Sequence, residues 1–364
     1  MKCVLGKEAL LNGLQLVQNV VTTRTTLPIL SNALLTASDG KLVISTTDLD
    51  TGIRATIEAE VLKPGSTTIP ARRLFSIIRE LPASELVLDV DAKHSATITS
   101  GPSFFRVMGL PEEDFPAFPK AEGAKLFKLT QGSFKEMLKR TAYAISTDES
   151  RYVLNGVLLS FKDGKLVVVA TDGRRLALVE QELEYPKSSE AEVILPTKAV
   201  QELLRILKGE EPLQITLSDN QIGFDMGSVY LVSKLIEGNY PNYKQVVPTE
   251  AKERITLERE IFLNAVHRVA LLSSEKSNSV KLIFGKNTLD ITANTPEVGE
   301  AKESLPINYK GKEFTIAFNP NFLMDPLRNL ESDTIFFDFI DELSPGVIKY
   351  NKPFLYVIMP MRTA

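Results

Sequence analysis

Asp163-Gly164-Lys165-Leu166-Val167-Val168-Val169-Ala170-Thr171-Asp172 decides the reading of the chain, because it occurs three times. Asp39-Gly40-Lys41-Leu42-Val43-Ile44-Ser45-Thr46-Thr47-Asp48 is a close copy, and Lys286-Asn287-Thr288-Leu289-Asp290-Ile291-Thr292-Ala293-Asn294-Thr295 a looser one. The leucines Leu42, Leu166 and Leu289 stand 124 and 123 residues apart. Asp-Gly supplies the left-handed pair that a two-residue hairpin loop requires, and the β-branched run after it reads as a strand.

A second element keeps nearly the same period. Ile69-Pro70-Ala71-Arg72-Arg73-Leu74, Leu195-Pro196-Thr197-Lys198-Ala199-Val200 and Phe318-Asn319-Pro320-Asn321-Phe322-Leu323 follow at offsets of 126 and 123. Leu74, Ile77, Ile78 and Leu81, then Val200, Leu203, Leu204 and Leu207, fall at i, i+3, i+4 and i+7, which predicts an amphipathic helix. The third copy has Leu323, Leu327 and Leu330 with Pro326 on the stripe, and a kink or loosened turn is expected there. Each repeat also opens on a helical pattern, over 7–21, 131–146 and 258–273. Phe134, Met137, Leu138 and Ile145 form the stripe of the middle one, and Phe262, Ala265, Val266 and Val269 that of the last. Alternating strands such as 86–90, 213–217 and 334–339 fill the intervals. The repeats close on Leu110-Pro111-Glu112-Glu113-Asp114-Phe115-Pro116 and Glu237-Gly238-Asn239-Tyr240-Pro241, followed by linkers near 117–125 and 248–253. The expected architecture is α+β, with three repeated domains over 1–119, 125–247 and 253–364, each with many strands and two helices.

At about 100° per residue, positions 72 and 79 lie opposite the apolar stripe of their helix. They are Arg72 and Arg79; the equivalents are Lys198 and Arg205, then Asn321 and Arg328. The six helical stretches, with the second of each repeat taken as 70–82, 197–208 and 319–331, hold 13 Lys+Arg against 8 Asp+Glu, a net of +5. The whole chain carries −4, so the remainder carries −9. Such segregation predicts a local track for a polyanion, with sparse cations making sequence-independent, salt-sensitive phosphate contacts. No zinc finger, basic zipper or arginine-rich arm is present to read bases.

The 364 residues are 43% hydrophobic and 24% charged, ordinary for a soluble globular protein of two or three domains. No apolar run reaches the ~18 residues of a membrane span, and charge interrupts the first eight residues too early for a secretory signal. Cys3 is the single cysteine, which excludes an internal disulfide and suits a reducing cytoplasm. His94 and His267 stand far apart, so a histidine metal centre or a Ser-His-Asp hydrolase has no support. No cofactor is expected.

The chain resembles the bacterial DNA polymerase III β subunit family, the sliding clamps, over its whole length. The marks are Thr26-Leu27-Pro28-Ile29-Leu30, Ile69-Pro70-Ala71-Arg72, Arg151-Tyr152-Val153-Leu154-Asn155-Gly156, Ala170-Thr171-Asp172-Gly173-Arg174-Arg175-Leu176, Ser233-Lys234-Leu235, Ala293-Asn294-Thr295-Pro296-Glu297 and Val357-Ile358-Met359-Pro360-Met361-Arg362. Each alone is weak; their order along a triplicated chain is specific. The resemblance implies a non-catalytic processivity factor: a head-to-tail homodimer whose six domains close a ring, helices inside and sheets outside, around duplex DNA. Twelve helices at ~10 Å spacing give a ring ~38 Å across at the helix axes and a lumen of ~28 Å, whereas six give only ~9 Å. One protomer therefore cannot enclose a duplex, and closure needs a second.

The resemblance also assigns residues. Arg24, Arg72, Arg79, Tyr152, Lys198, Arg205 and Arg328 are the implied DNA-facing set. A cleft for short linear peptides is implied for Arg151, Leu154, Thr171, Gly173, Arg174, Arg175, Leu176, Pro241, Val246, Pro345, Val357, Ile358, Met359, Pro360, Met361 and Arg362. Met and Leu would form an adaptable pocket, with Arg151, Arg175 and Arg362 at the rim for peptide carbonyls or carboxylates. Arg174 replaces a histidine frequent in the family. The ring seam is implied to place Leu271 and Leu272 as apolar anchors, with Glu297, Glu300 and Glu303 opposite Arg73 or Arg106. Implied partners are the polymerase III catalytic subunit, an ATP-dependent clamp loader, other polymerases, ligase and mismatch-repair proteins. The loader is needed because no phosphate-binding Gly-x-x-x-x-Gly-Lys-Ser/Thr loop occurs in the chain.

Two other readings compete. Asp50-Thr51-Gly52 matches the short aspartic-protease motif, but it occurs once, and Thr171-Asp172-Gly173 does not complete a dyad within the chain. A triplicated structural or carbohydrate-binding module would call for aromatic platforms, and tryptophan is absent.

Overall fold

The repeat-defining hairpins turn through left-handed residues, as their Asp-Gly and Lys-Asn sequences require. Asp39 and Gly40 have φ of 49° and 73°, Asp163 and Gly164 55° and 69°, and Asn287 57°. In the first two, successive positive φ values match the right-handed twist of the flanking strands, so those tight loops need no correction by the sheet. Leu42, Leu166 and Leu289, just beyond the turns, are fully buried. The structure is a computed structural model describing residues 1–21, 27–82, 84–121, 123, 125–248, 250–273, 278–296 and 298–362.

The helices are α1 (Lys7–Val17), α2 (Ala71–Glu80), α3 (Gln131–Lys139), α4 (Thr197–Ile206), α5 (Arg259–Ala270) and α6 (Pro320–Asn329). Two compact units form, one from 1–135 with 198–235 and one from 136–197 with 236–364, so the middle repeat contributes to both. In the first unit, an antiparallel five-stranded sheet runs Glu60–Lys63, Lys2–Gly6, Glu85–Val90, Ser95–Ser100, Ser103–Met108. Its eight-stranded sheet runs Lys125–Thr130, Pro212–Leu217, Gln221–Asp225, Val229–Lys234, Thr51–Glu58, Lys41–Thr47, Asn32–Ser38, Gly65–Pro70. In the second unit, an eight-stranded sheet runs Ala191–Pro196, Gly156–Lys162, Lys165–Thr171, Arg175–Glu182, Phe354–Ile358, Gly346–Lys349, Thr334–Phe339, Glu253–Glu258. A four-stranded sheet, Gly299–Pro306, Thr288–Thr295, Val280–Gly285, Phe314–Phe318, completes that unit.

Each eight-stranded sheet therefore joins two successive repeats, and the two joints share one register. Thr51 pairs with Ser233 and Gly52 with Val232; Arg175 pairs with Ile358 and Leu176 with Val357. One residue on, the Lys234 N–H donates to Asp50 O at 2.8 Å and the Met359 N–H to Arg174 O at 2.9 Å. Burial of the alternating apolar face on both sides of a joint fixes such registers, since a slip of one residue would turn every core side chain outward.

Among the described residues, all six helices are shorter than their sequence patterns. α1 stops at Val17, whose carbonyl accepts from Thr46 Oγ1 at 2.8 Å instead of from a further helical turn. α3 stops at Lys139 because Thr141 Oγ1 bonds back to the Met137 carbonyl at 2.9 Å, and a single 3₁₀ turn follows. Ile145 thus lies beyond the helix whose stripe it was expected to extend. Pro326 does not break α6. It removes the N–H that would meet the carbonyl of Phe322, and Tyr356 Oη, from strand Phe354–Ile358, donates to that carbonyl at 2.7 Å. The expected loosening is absent because a side chain replaces the missing backbone donor.

Candidate functional site

The joint in the second unit is built around the turn from Thr171 to Arg175. Thr171 Oγ1 accepts the Gly173 N–H at 3.1 Å and donates to Arg175 O at 2.6 Å. Asp172 Oδ1 accepts the N–H groups of Arg174 and Arg175 at 2.9 and 3.0 Å. These bonds fix the loop before any ligand arrives. Gly173 has φ of 84°, and a Cβ there would lie 2.8 Å from Arg151 Nη1, so glycine serves both the backbone and the close approach.

Arg175 occupies the centre, not the rim. Its side chain is only 10% exposed. Nε donates to Asp172 Oδ2 at 3.0 Å, Nη1 to Asp325 Oδ2 at 2.5 Å and Nη2 to the Tyr143 carbonyl at 2.6 Å, and the guanidinium stacks on Phe322 at 4.2 Å. Burial opposes its charge, but the surrounding Tyr356, Asp325 and Asp172 outweigh it and hold the pKa above the usual arginine range. Each of its three nitrogens already donates inside the fold, which gives Arg175 a supporting role that the rim expectation did not include. Tyr356 and Tyr143 beside it are pushed well above the ordinary tyrosine pKa by burial. Tyr143 Oη has no hydrogen-bond partner among the described residues.

Around this centre the structure gathers most of the sequence-assigned cleft. Leu176 and Val357 belong to a buried apolar cluster with Leu158, Val169 and Ile194, against which Val153, Tyr240, Tyr243 and Val247 pack. Leu154 and Ile358 are buried as well, so these positions form a floor and not a lip. Above them, Arg174, Pro241, Val246 and Met359 are exposed, Met359 by 42%. Pro360, Met361 and Pro345 are half-buried, and Gly346, after Pro345, pairs with Ile358. Among the described residues no hydrogen bond or ion pair engages the guanidinium of Arg174. Arg151 lies over the turn at Gly173, 3.6 Å from Asp148. Arg362 is exposed and follows Met361, whose N–H donates to Ala317 O at 2.7 Å; no contact among the described residues ties it to the Arg175 group.

The helix cations divide into two kinds. Arg72, Arg79 and Arg328 are exposed, Arg79 beside Glu80 and Arg328 3.9 Å from Asp325. Tyr152 is exposed too. Lys198 and Arg205 depart from the expected outward face. Lys198 Nζ pairs with Asp48, and Arg205 donates to the carbonyls of Gln15 and Leu16 at the end of α1 and to Glu202. Position opposite an apolar stripe means solvent only when no neighbour stands there, and here the carboxyl end of α1, rich in unpaired carbonyls, does. Arg24 lies outside the described residues.

At the assigned seam, Leu271 is 71% exposed just past α5, and Leu272 is half-buried. Arg106 lies on the outer strand of the five-stranded sheet, its guanidinium 5.7 Å from the Phe104 ring, and Arg73 and Glu300 are exposed. Glu303 accepts from Arg268 within the chain at 2.6 and 3.0 Å. Glu297 lies outside the described residues. Sequence reasoning missed Asp325, Phe322, Tyr143 and Tyr356 as the support of the cleft turn; Asp325 lies 150 residues from Arg175, and no local pattern marks the pair.

Comparison with known proteins agrees with this architecture along the full chain. Family models described as the DNA polymerase III beta subunit N-terminal, central and C-terminal domains match residues 1–119, 128–242 and 244–362. The beta sliding clamp of Chlamydia muridarum is 39% identical over 362 residues, covering 100% of this chain and 99% of that one. That of Escherichia coli K12 is 35% identical with both chains fully covered. A crystal structure of the sliding clamp from Pseudomonas aeruginosa bound to griselimycin superposes with a TM-score of 0.96 at 34% identity, and the Bacillus subtilis clamp with 0.96 at 30%, both over 100% of each chain. The chain belongs to the DNA polymerase III beta subunit family, the beta sliding clamps, whose members are processivity factors and not enzymes.

Proposed function

We infer that two copies of this chain close head to tail into a ring that encircles duplex DNA and tethers the replicative polymerase to it. The observation that carries the reading is the full-length family match, reached independently of the triplicated turn and helix pattern. The domains follow the repeats, 1–119, 125–247 and 253–364, and the fold is a ring of six with helices toward the DNA. Arg72, Arg79 and Arg328, exposed on α2 and α6, face the phosphates, with Tyr152 near the ring face; Arg24 is assigned to the same DNA-facing set by resemblance alone. Lys198 and Arg205 act in that face by anchoring α4 to the strand turn and α1.

The seam uses the two sheet edges. Ser103–Met108 ends the five-stranded sheet with Phe104 and Met108 exposed by 60% and 65%, and Gly299–Pro306 ends the four-stranded one. Strands with one unpaired side complete each other across copies, with Leu271, Leu272, Arg73, Arg106 and Glu300 beside them. The cleft above Leu154, Leu176, Val357 and Ile358 takes short linear peptides, Met359, Pro360 and Val246 shaping an adaptable wall. Its users are the polymerase III catalytic subunit, a clamp loader that supplies the ATP chemistry, other polymerases, ligase and mismatch-repair proteins, in the cytoplasm. Among the described residues no helix is long and apolar enough to cross a membrane.

The test is topological. Protein loaded onto a closed DNA circle is expected to stay through a salt wash and to be lost when the circle is cut once, with a solution mass twice 40.3 kDa. Equal retention on circular and cut DNA would overturn enclosure.

A further inference from the structure

Gly52 and Gly223 hollow one face of the eight-stranded sheet in the first unit. They stand on strands Thr51–Glu58 and Gln221–Asp225, which flank Val229–Lys234. A Cβ on Gly52 would lie 3.0 Å from the Phe118 ring, and one on Gly223 would collide with the Tyr230 hydroxyl. The two rings settle there with centroids 6.4 Å apart, and Tyr230 Oη accepts the Ala121 N–H at 3.1 Å. Linker residues Phe118 to Ala121 are thereby held against the sheet.

Arg54 stands beside them, on the face opposite the buried Ile53 and Ala55. Its guanidinium lies 4.3 Å from the Phe118 centroid, and Nε donates to Ser45 Oγ at 3.3 Å. Among the described residues no carboxylate lies within 4.0 Å of it, and its Nη atoms have no partner. Burial pushes its pKa down, with Tyr230 acting the other way. Arg54 lines a cavity of about 330 Å³ together with Thr56, Lys120, Thr216, Ser228 and Tyr230. Among the described lining residues the one carboxylate, Asp225, accepts the Gly227 N–H at 2.8 Å. The equivalent of Arg54 in the second joint is Leu178, which packs on the apolar cluster. The cation is therefore specific to the first joint.

We propose that this cavity is a carboxylate-binding site, in which the Arg54 fork takes both oxygens, Lys120 adds a second positive charge and the lining hydroxyls complete the shell. A planar fork with two free nitrogens matches a carboxylate bidentately. The volume suits one amino-acid-sized group, near the lower limit of ligand pockets. The carboxylate belongs either to a free small dicarboxylate or to an acidic side chain of a partner.

Ligand-observed saturation-transfer NMR on the full-length protein tests this with three probes: glutarate, acetyl-Ala-Glu-Ala-amide and acetyl-Ala-Gln-Ala-amide. Binding of a carboxylate probe but not the glutamine peptide is expected, weakened about tenfold or more by Arg54→Gln. Arg54→Lys, which keeps the charge and loses the fork, should fall between and guards against a folding defect in Arg54→Gln. A tighter peptide identifies a partner side chain as the source; tighter glutarate identifies a free metabolite. No transfer from either carboxylate at ~10 mM, weaker than any useful site, or equal binding in Arg54→Gln and wild type, would overturn the assignment.

Discussion

The turns Thr47–Thr51 and Thr171–Arg175 are the same object built twice, and they differ where function separates them. Thr47 Oγ1 accepts the Leu49 N–H and donates to Thr51 O, both at 3.0 Å, as Thr171 does with Gly173 and Arg175. Asp48 Oδ1 accepts two successive N–H groups at 3.0 and 2.7 Å, as Asp172 does. Leu49 even carries the left-handed φ, 80°, that glycine carries at 173. The second carboxylate oxygen marks the divergence. Asp48 gives its own to Lys198, whose side chain is 37% exposed, while Asp172 gives it to Arg175, which continues inward to Asp325. Where the strand leaves the joint, Lys234 pairs with Asp50 at 2.8 Å, but Met359 stands exposed with Arg174 beside it. In the first joint Phe118 rests on Gly52; in the second the same position is Leu176, on the cleft floor. One scaffold is thus sealed by an ion pair and a ring, and the other is left open and apolar.

Breaking the inner support should show the largest contrast. Arg175→Met strips the partner from Asp172 and Asp325 and is expected to cost about 3–5 kcal/mol, the usual penalty for half of a buried ion pair. Lys198→Met at the first joint should cost about 1 kcal/mol or less, as for a partly exposed pair. Urea unfolding of the two variants measures both, and equal losses would erase the distinction between the joints.

Alkaline pH should sharpen the comparison next. Tyr143, Tyr240 and Tyr356 all belong to the second unit, and burial raises each above the ordinary value. A raised folded pKa means that the native state keeps its proton when the unfolded chain has lost it. Stability is then complete below pH ~10 and falls above it by about 1.4 kcal/mol per pH unit for each tyrosine. Unfolding followed from pH 9 to 11.5 should show this slope, reduced in Tyr143→Phe, which loses no hydrogen bond among the described residues.

Met359→Lys copies the residue of the first joint into the second. Weakening of cleft-peptide affinity by about 10- to 100-fold is expected, since a charge is brought to an apolar wall, with the melting temperature nearly unchanged; fluorescence anisotropy of a labelled clamp-binding peptide measures it. The smallest effect concerns the left-handed corner. Leu49→Gly should stabilise by a few tenths to about 1 kcal/mol by relieving a strained φ, and Gly173→Ala should destabilise by about 1 kcal/mol or more. Thermal unfolding of both gives opposite signs if the two corners are equivalent.

The fold was largely legible because the triplication exposes itself in local signals. Asp-Gly turns and i, i+3, i+4, i+7 stripes are short-range features, and they placed the hairpins and all six helices. Helix ends were not legible, because Thr46 and Thr141 terminate α1 and α3 through side chains that periodicity ignores. The cleft positions followed from resemblance, yet the role of Arg175 did not, since Asp325 approaches it from another repeat. The same limit misplaced Arg205, where the end of α1 fills what a helical wheel leaves as solvent.

The hydroxyl of Tyr356 on the carbonyl that Pro326 frees has a consequence for the order of events during synthesis. Residues 320–329 leave the ribosome about 30 residues before their missing donor does. Until Tyr356 arrives, the Phe322 carbonyl must keep its water, and the helix cannot bury that flank at full stability. Maturation of the third repeat therefore waits for the segment that also walls the peptide cleft, so a nascent chain cannot offer a partner a finished helix and an unfinished cleft.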